Sequence, residues 1–164
     1  MDTIYRAIIN IMEDNVKKVR GIKSIYYGDP GEIAKDLLPA ITVYPITTDL
    51  EARGIGNVGV DFVAHEVGIS IIYDMRSQFN KRPFEVKIVQ TMMETLMERD
   101  DNKNLRSDTV IGALRLYTSM NLEDEVQFID RFHVDYGVND TRGFPTIEAA
   151  ITFTASFRPQ RPIS

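Results

Sequence analysis

Cysteine is absent from the 164 residues. That removes disulfides and thiolate metal ligands together and excludes a disulfide-built secreted scaffold. Histidine is scarce, with only His65 and His133, and a metal centre usually needs three or four ligands. Long apolar runs are missing as well. The most apolar short segment, 67–73, is interrupted by Gly68 and Ser70 and is far too short to span a bilayer, so no membrane partner is expected. Met1 leads into an amphipathic stretch carrying Asp2, Arg6, Glu13 and Asp14 rather than the apolar core of a signal peptide, and a cytoplasmic origin is expected. Positive charge is in deficit: 24 Asp and Glu against 19 Lys and Arg give a net charge of -5. Gripping nucleic acid through phosphates needs clustered cations, which this balance does not favour. No Pro/Gly/Ser-rich linker divides the chain, so residues 1–164 are expected to form one domain, long enough to bury roughly 70% of its unfolded surface.

What is present is patterning. Between residues 3 and 21, Ile4, Ile8, Ile11, Met12, Val16 and Val19 recur at three- and four-residue steps, which predicts an amphipathic helix. Lys17, Lys18 and Arg20 crowd its last turn and Gly21 suits the residue that ends it. Residues 25–27 predict a short strand, cut by Gly28-Asp29-Pro30-Gly31. Residues 32–38 have room for two helical turns before Pro39. Residues 40–46 alternate as a strand, with Pro45 marking an edge strand or a strand end. Residues 47–57 are polar and glycine-bearing and predict a loop.

Beyond that loop Val58, Val60, Phe62 and Ala64 are even, whereas Val67, Ile69, Ile71 and Tyr73 are odd. A strand in one register cannot change faces mid-run, so a bulge or bend is expected near Ala64-His65-Glu66. Residues 83–99 predict a second helix with the stripe Phe84, Ile88, Val89, Met92, Met93, Leu96 and Met97, read as core packing before any partner groove. Residues 109–118 read as a strand around Val110, Leu114 and Leu116. The chain ends in two alternating runs. Val126, Phe128, Phe132, Val134, Tyr136 and Val138 are even with Asp130 as the one break, and Ile147, Ala149, Ile151, Phe153, Ala155 and Phe157 are odd. They predict an antiparallel hairpin joined by the turn-rich segment 139–145. The expected fold class is α+β: a single domain with a mostly antiparallel twisted sheet packed against two amphipathic helices, and a long protruding β-hairpin or loop.

Reactive motifs are few. Arg131, His133 and Asp135 would share one strand face, and a carboxylate beside an imidazole can orient a base. This is the one constellation that would suit a small enzyme or ligand-binding module, and a solvated polar face of a hairpin is the simpler reading of it. Gly54-Ile55-Gly56-Asn57 and Gly28-Asp29-Pro30-Gly31 lack the Lys-Ser/Thr pair of a phosphate loop and read as turns. Glu123, Asp124 and Glu125 read as a solvated acidic run, because consecutive acids in an extended chain point in different directions.

The order of elements is more telling. It runs through an N-terminal helix, a short strand, the proline-preceded strand Leu38-Pro39-Ala40-Ile41-Thr42-Val43-Tyr44-Pro45, a long polar loop, and the strand Glu66-Val67-Gly68-Ile69-Ser70-Ile71-Ile72-Tyr73. An amphipathic helix and a final hairpin ending in Ala149-Ala150-Ile151-Thr152-Phe153-Thr154-Ala155-Ser156-Phe157 complete it. Over nearly the whole chain this order resembles the tail terminator and tail completion (neck) proteins of long-tailed bacteriophages. The resemblance implies a structural subunit without catalytic residues, metal or cofactor. It would form a homo-oligomeric ring, usually a hexamer, on the last ring of the tail tube, stop tube polymerisation and meet the head-tail connector protein. A head-closure or other tail-assembly neck protein is the neighbouring expectation. The setting would be the virion tail neck, with the host cytoplasm during assembly, and DNA would be only a non-specific cargo that slides past an acidic wall.

Residues 47–65 are then the expected mobile interaction loop. Asp49, Glu51, Arg53, Gly54, Gly56, Asp61 and His65 are the candidate contacts to a neighbouring subunit or the tube. Residues 158–164 are the expected extended tail, with Arg158 and Arg161 as candidate contacts.

Overall fold

The computed structural model describes residues 3–55, 58–76, 87–117, 128–129 and 131–157, with side chains left undescribed at residues 3, 51–62, 117, 128–129 and 156–157. The class is α+β: one mixed, mostly antiparallel sheet with helices on one face. Strands β1 (Ser24–Tyr27), β2 (Ala40–Ile55), β3 (Val58–Asp74), β4 (Phe128–Ile129), β5 (His133–Asn139) and β6 (Thr146–Phe157) are ordered β1-β2-β3-β6-β4, and β5 also pairs with β6. Only the β1 and β2 pair is parallel.

The first helix forms largely where its apolar spacing places it. α1 (Thr3–Met12) runs through a π-helical segment (Glu13–Lys17) into α2 (Lys18–Arg20). Gly21 ends it at φ 68, a left-handed conformation that glycine adopts without penalty. The Ile22 N–H turns back to the Lys17 carbonyl at 2.9 Å. Ile4, Tyr5, Ile8, Ile11, Met12 and Val16 are buried, but Val19 is exposed. The wider π turn rotates the stripe, so the three-residue step from Val16 no longer returns to the core.

Those side chains pack on the sheet face made by Ile41 and Val43 of β2, Val67, Ile69 and Ile71 of β3, and Ile147, Ala149, Ile151, Phe153 and Ala155 of β6. The period-two pattern of β6 is met in full register against β3, from Val63↔Phe157 to Asp74↔Thr146. On the opposite face a smaller cluster of Ile33, Leu38, Ala40 and Ile72 covers one end. There Gly68 lies beside Tyr44, whose ring occupies the space a Cβ would need at 2.2 Å, and the Tyr44 hydroxyl bonds Ser70 Oγ at 3.1 Å.

Several expectations need correction. The strand expected over 109–118 is not formed by the described residues of that stretch: α4 (Val110–Tyr117) is a helix. Val110, Ile111, Ala113 and Leu114 are buried while Leu116 is exposed, a helical face rather than an alternating one. Thr109 starts it, its hydroxyl accepting the Gly112 N–H at 3.1 Å and donating to the Arg106 carbonyl at 2.7 Å. Among the described residues three helical bodies therefore cover the sheet, where two were expected. Only the 3-10 turn Lys35–Leu37 forms within 32–38. α3 (Ile88–Met97) buries Met92, Thr95 and Leu96 but leaves Val89 and Met93 exposed, so the stripe is narrower than the sequence implies. Residues 77–86, which include the expected start of that helix at 83–86, lie outside the described residues.

Residues 47–55, expected as a loop, belong to β2 and pair with β3 down to Ile55↔Val58. Gly56 and Asn57, between those strands, lie outside the described residues. The bulge falls on β2, not on β3. Pro45 faces Val67 and Thr47 faces Glu66, leaving Ile46 as the extra residue. β1 pairs only with Ala40 to Val43, so Pro45 sits where β2 has already become an edge strand, as its missing N–H requires. The described residues of the run 126–138 form two strands. β4 pairs Phe128↔Ser156 and β5 pairs His133↔Thr152, a register shift of one residue across the interval that contains Asp130, itself outside the described residues.

Candidate functional site

Two kinds of feature stand out: buried charge clusters that hold the fold, and strand edges left open around the sheet.

The largest charge cluster centres on Arg142, in the turn before β6, whose side chain is only 4% exposed. Its guanidinium donates Nη1 to Asp29 Oδ1 (2.6 Å) and to the Gly31 carbonyl (2.7 Å). Nη2 reaches Asp29 Oδ2 (2.8 Å) and Glu148 Oε1 (2.9 Å), and Nε reaches Glu148 Oε2 (2.8 Å). Thr146 Oγ1 also donates to Glu148 Oε2 at 2.6 Å. All five guanidinium N–H directions have a use in this fork geometry. The bond from Arg142, set against desolvation, holds the Asp29 carboxyl below its ordinary range. Burial pushes Glu148 up, but the bonds from Arg142 and Thr146 outweigh it and the net shift is downward. The cluster ties the loop after β1 to the start of β6.

A second cluster joins the helix ends. Arg20 meets Asp108 (2.5 Å) and Glu98 (2.6 Å), and Arg106 meets Asp108 (2.9 Å). The Arg106 bond, with Arg20 beside it, lowers the Asp108 carboxyl below its usual range. Both clusters join residues distant in the chain and are saturated by their own members, which marks them as structural.

The expected contact residues divide. Asp49 is exposed on β2, beside Leu50 at 75% exposure. His65 is not a surface contact. It is 4% exposed, its Nδ1 lies 2.9 Å from Thr48 Oγ1, and its ring meets Tyr5 edge-on at 5.7 Å. It occupies an inward position of β3 between the buried Val63 and Val67. Glu51, Arg53, Gly54 and Asp61 have strand backbones paired with Phe62, Val60, Gly59 and Ala52, and their side chains lie outside the described residues. Gly56, Arg158 and Arg161 lie wholly outside them.

His133 and Asp135 do share a face, with Nε2 to Oδ1 at 3.2 Å, but their side chains are 67% and 74% exposed. An imidazole and carboxylate that open to water have little to fix their orientation or exclude solvent. Among the described residues no group of three or more His, Cys, Asp or Glu is placed to hold a metal ion.

The open edges are the feature that sequence reasoning missed. β5 pairs only with β6, and beyond Val43 β2 pairs only with β3. Among the described residues no strand pairs with the outer edge of β5 or with the outer edge of β2 over 44–55. These edges lie on opposite sides of one sheet and differ in sequence. Exposed apolar residues accompany both: Ile46 and Leu50 on β2, Tyr136 and Val138 on β5. An unpaired edge of this kind is a template for another chain unless it is blunted. Compared with known proteins, the chain matches no family model and no curated protein.

Proposed function

We propose that the chain is a structural subunit of a phage-type tail neck. It forms a ring on the head-proximal end of a tail tube, stops tube growth and offers its other surface to the head-tail connector. The observation that carries this reading is the pair of unlike open edges on opposite sides of a single sheet. A patch that meets a different patch on the next copy gives head-to-tail association, which closes into a ring when the rotation permits. The element order that resembles tail terminator and tail completion proteins supplies the context for such a ring. The net charge of -5 suits a channel along which DNA passes without adhering.

The test is the length of tubes polymerised from tail-tube subunits with and without this protein, measured by negative-stain microscopy. The reading predicts a shortened, narrowed length distribution once the protein is present at tube ends. An unchanged distribution with no density at the ends speaks against termination. In that case binding to isolated connector particles distinguishes a head-closure role.

A further inference from the structure

The two open edges carry more than a general capacity to associate. Their directions and faces are mutually compatible. β2 is antiparallel to β3, β3 to β6, and β6 to β5. Hence β2 and β5 run in opposite senses within one copy. Two copies related by rotation about a ring axis keep a common strand sense, so the β5 edge of one would meet the β2 edge of the next as an antiparallel pair.

Strand sense and edge order together then fix the face. Both copies present their helices on the same side of the continued sheet.

The apolar residues agree with that geometry. Thr48 and Leu50 face the same side as their partners His65 and Val63, both buried on the helix-covered face. Val134, Tyr136 and Val138 face the same side as Ile151, Ala149 and Ile147, which belong to the same core. Leu50 is 75% exposed, Val138 66% and Tyr136 47%, so each edge leaves apolar surface on the one face where a continued sheet would bring it together. The described residues of the β5 edge, His-Val-Asp-Tyr-Gly-Val-Asn, contain no lysine or proline, the residues with which a permanently solvated edge is commonly blunted.

We propose that the β5 edge of one copy pairs with the β2 edge of a second copy beyond the Pro45 bulge, as antiparallel strands of one continuous sheet, with Leu50 set against Tyr136 and Val138. The occupant of each edge is a second copy of this chain. The proposal rests on the ring reading above for that choice of partner. Because β1 blocks β2 at Ala40 to Val43, the neighbour must step along the strand direction to reach the open segment. The strands are thereby inclined to the ring axis, as closed sheets require.

The absence of cysteine makes the test direct. The double variants Leu50→Cys/Tyr136→Cys and Leu50→Cys/Val138→Cys are treated with a short bismaleimide at the highest soluble protein concentration and run on a denaturing gel. At least one pair is expected to give a ladder of covalent multimers, while each single variant stays monomeric because unlike edges meet. Ladders from neither pair, or dimers from the single variants, would overturn the proposal, the latter by showing like edges meeting. Val138→Lys, placed on an exposed site so that folding is spared, is expected to raise the concentration of half-assembly roughly tenfold or more. No change in that concentration would also count against the pairing. Tube capping separates this proposal from the one it rests on. Capped tubes without a ladder sink the edge pairing alone, and a ladder from protein that leaves tubes uncapped sinks the terminator role alone.

Discussion

Arg142→Met is expected to cost about 3 kcal/mol of folding stability, read as a lower urea midpoint at neutral pH with an unchanged slope. The substitution retains much of the aliphatic volume but removes the five guanidinium donors to Asp29, Glu148 and the Gly31 carbonyl, leaving Glu148 with the Thr146 hydroxyl and Asp29 with the Gly31 N–H. Glu148 bears most of the loss, since its side chain is only 15% exposed and would be left as a poorly compensated buried charge. Asp29 contributes less, because at 46% exposure water replaces part of what Arg142 gave it.

The pH dependence follows from the sign of the shifts. Asp29 and Glu148 both have lowered carboxyl pKa values in the fold. Their contribution is therefore fully present above the ordinary carboxylate pKa of about 4 and is lost as pH falls through the lowered folded values. The gap between native chain and variant should be widest at neutral pH and narrow progressively below about pH 5. A gap that stays constant to pH 3 would show that Arg142 acts through packing instead of charge.

Gly112→Ala is expected to be nearly as damaging, at about 2–3 kcal/mol, although alanine is ordinarily the better helix former. A Cβ at this position would stand 2.0 Å from the Arg106 carbonyl oxygen and 2.6 Å from Thr109 Oγ1. The first is backbone and cannot rotate away. It is also the acceptor for the Thr109 N–H and hydroxyl, so relief of the clash disturbs the start of α4 and the neighbouring Arg106, Asp108 and Arg20 bridges. Gly137→Ala is the control, since nothing lies within 4 Å of its added Cβ and its backbone is extended. It should leave the thermal midpoint within a degree or two, whereas Gly112→Ala lowers it by roughly 4–12 °C. Equal effects at the two glycines would contradict the packing described for α4.

The legible and illegible parts of this fold separate on physical grounds. Long alternating runs are strong signals, and β6 kept its inward face from Ile147 to Ala155 as its sequence implies. α1 was equally plain, apart from Val19, which a π turn displaced. α4 was misread because Val110, Leu114 and Leu116 fit an alternating pattern over a short segment. Thr109, standing directly before the apolar residues Val110 and Ile111, was the available hint of a helix start. Residues 47–55 carry a loop-like composition because an exposed edge strand is polar. Thr47 and Thr48 are β-formers, and each pairs across to β3, Thr47 with Glu66 at 3.1 Å and Thr48 with His65.

His65 itself concealed the register, since one polar residue at an inward position made a continuous face look like two. The Arg142 cluster was out of reach for a different reason. Asp29 and Arg142 are 113 residues apart, and nothing local to either turn reports the other. The open edges likewise exist only once the strand order is known.

The central claim is that this chain works as a closed ring at the end of a tail tube, and end-on views of capped tubes test it most directly. Class averages from electron microscopy of tubes assembled in the presence of the protein should show an added layer at one end. Its rotational symmetry should be that of the tube, its copies should meet edge to edge around an open channel, and protein carrying Val138→Lys should leave the ends bare. Tube ends without an added layer at saturating protein, or binding scattered along the tube wall, would contradict the account.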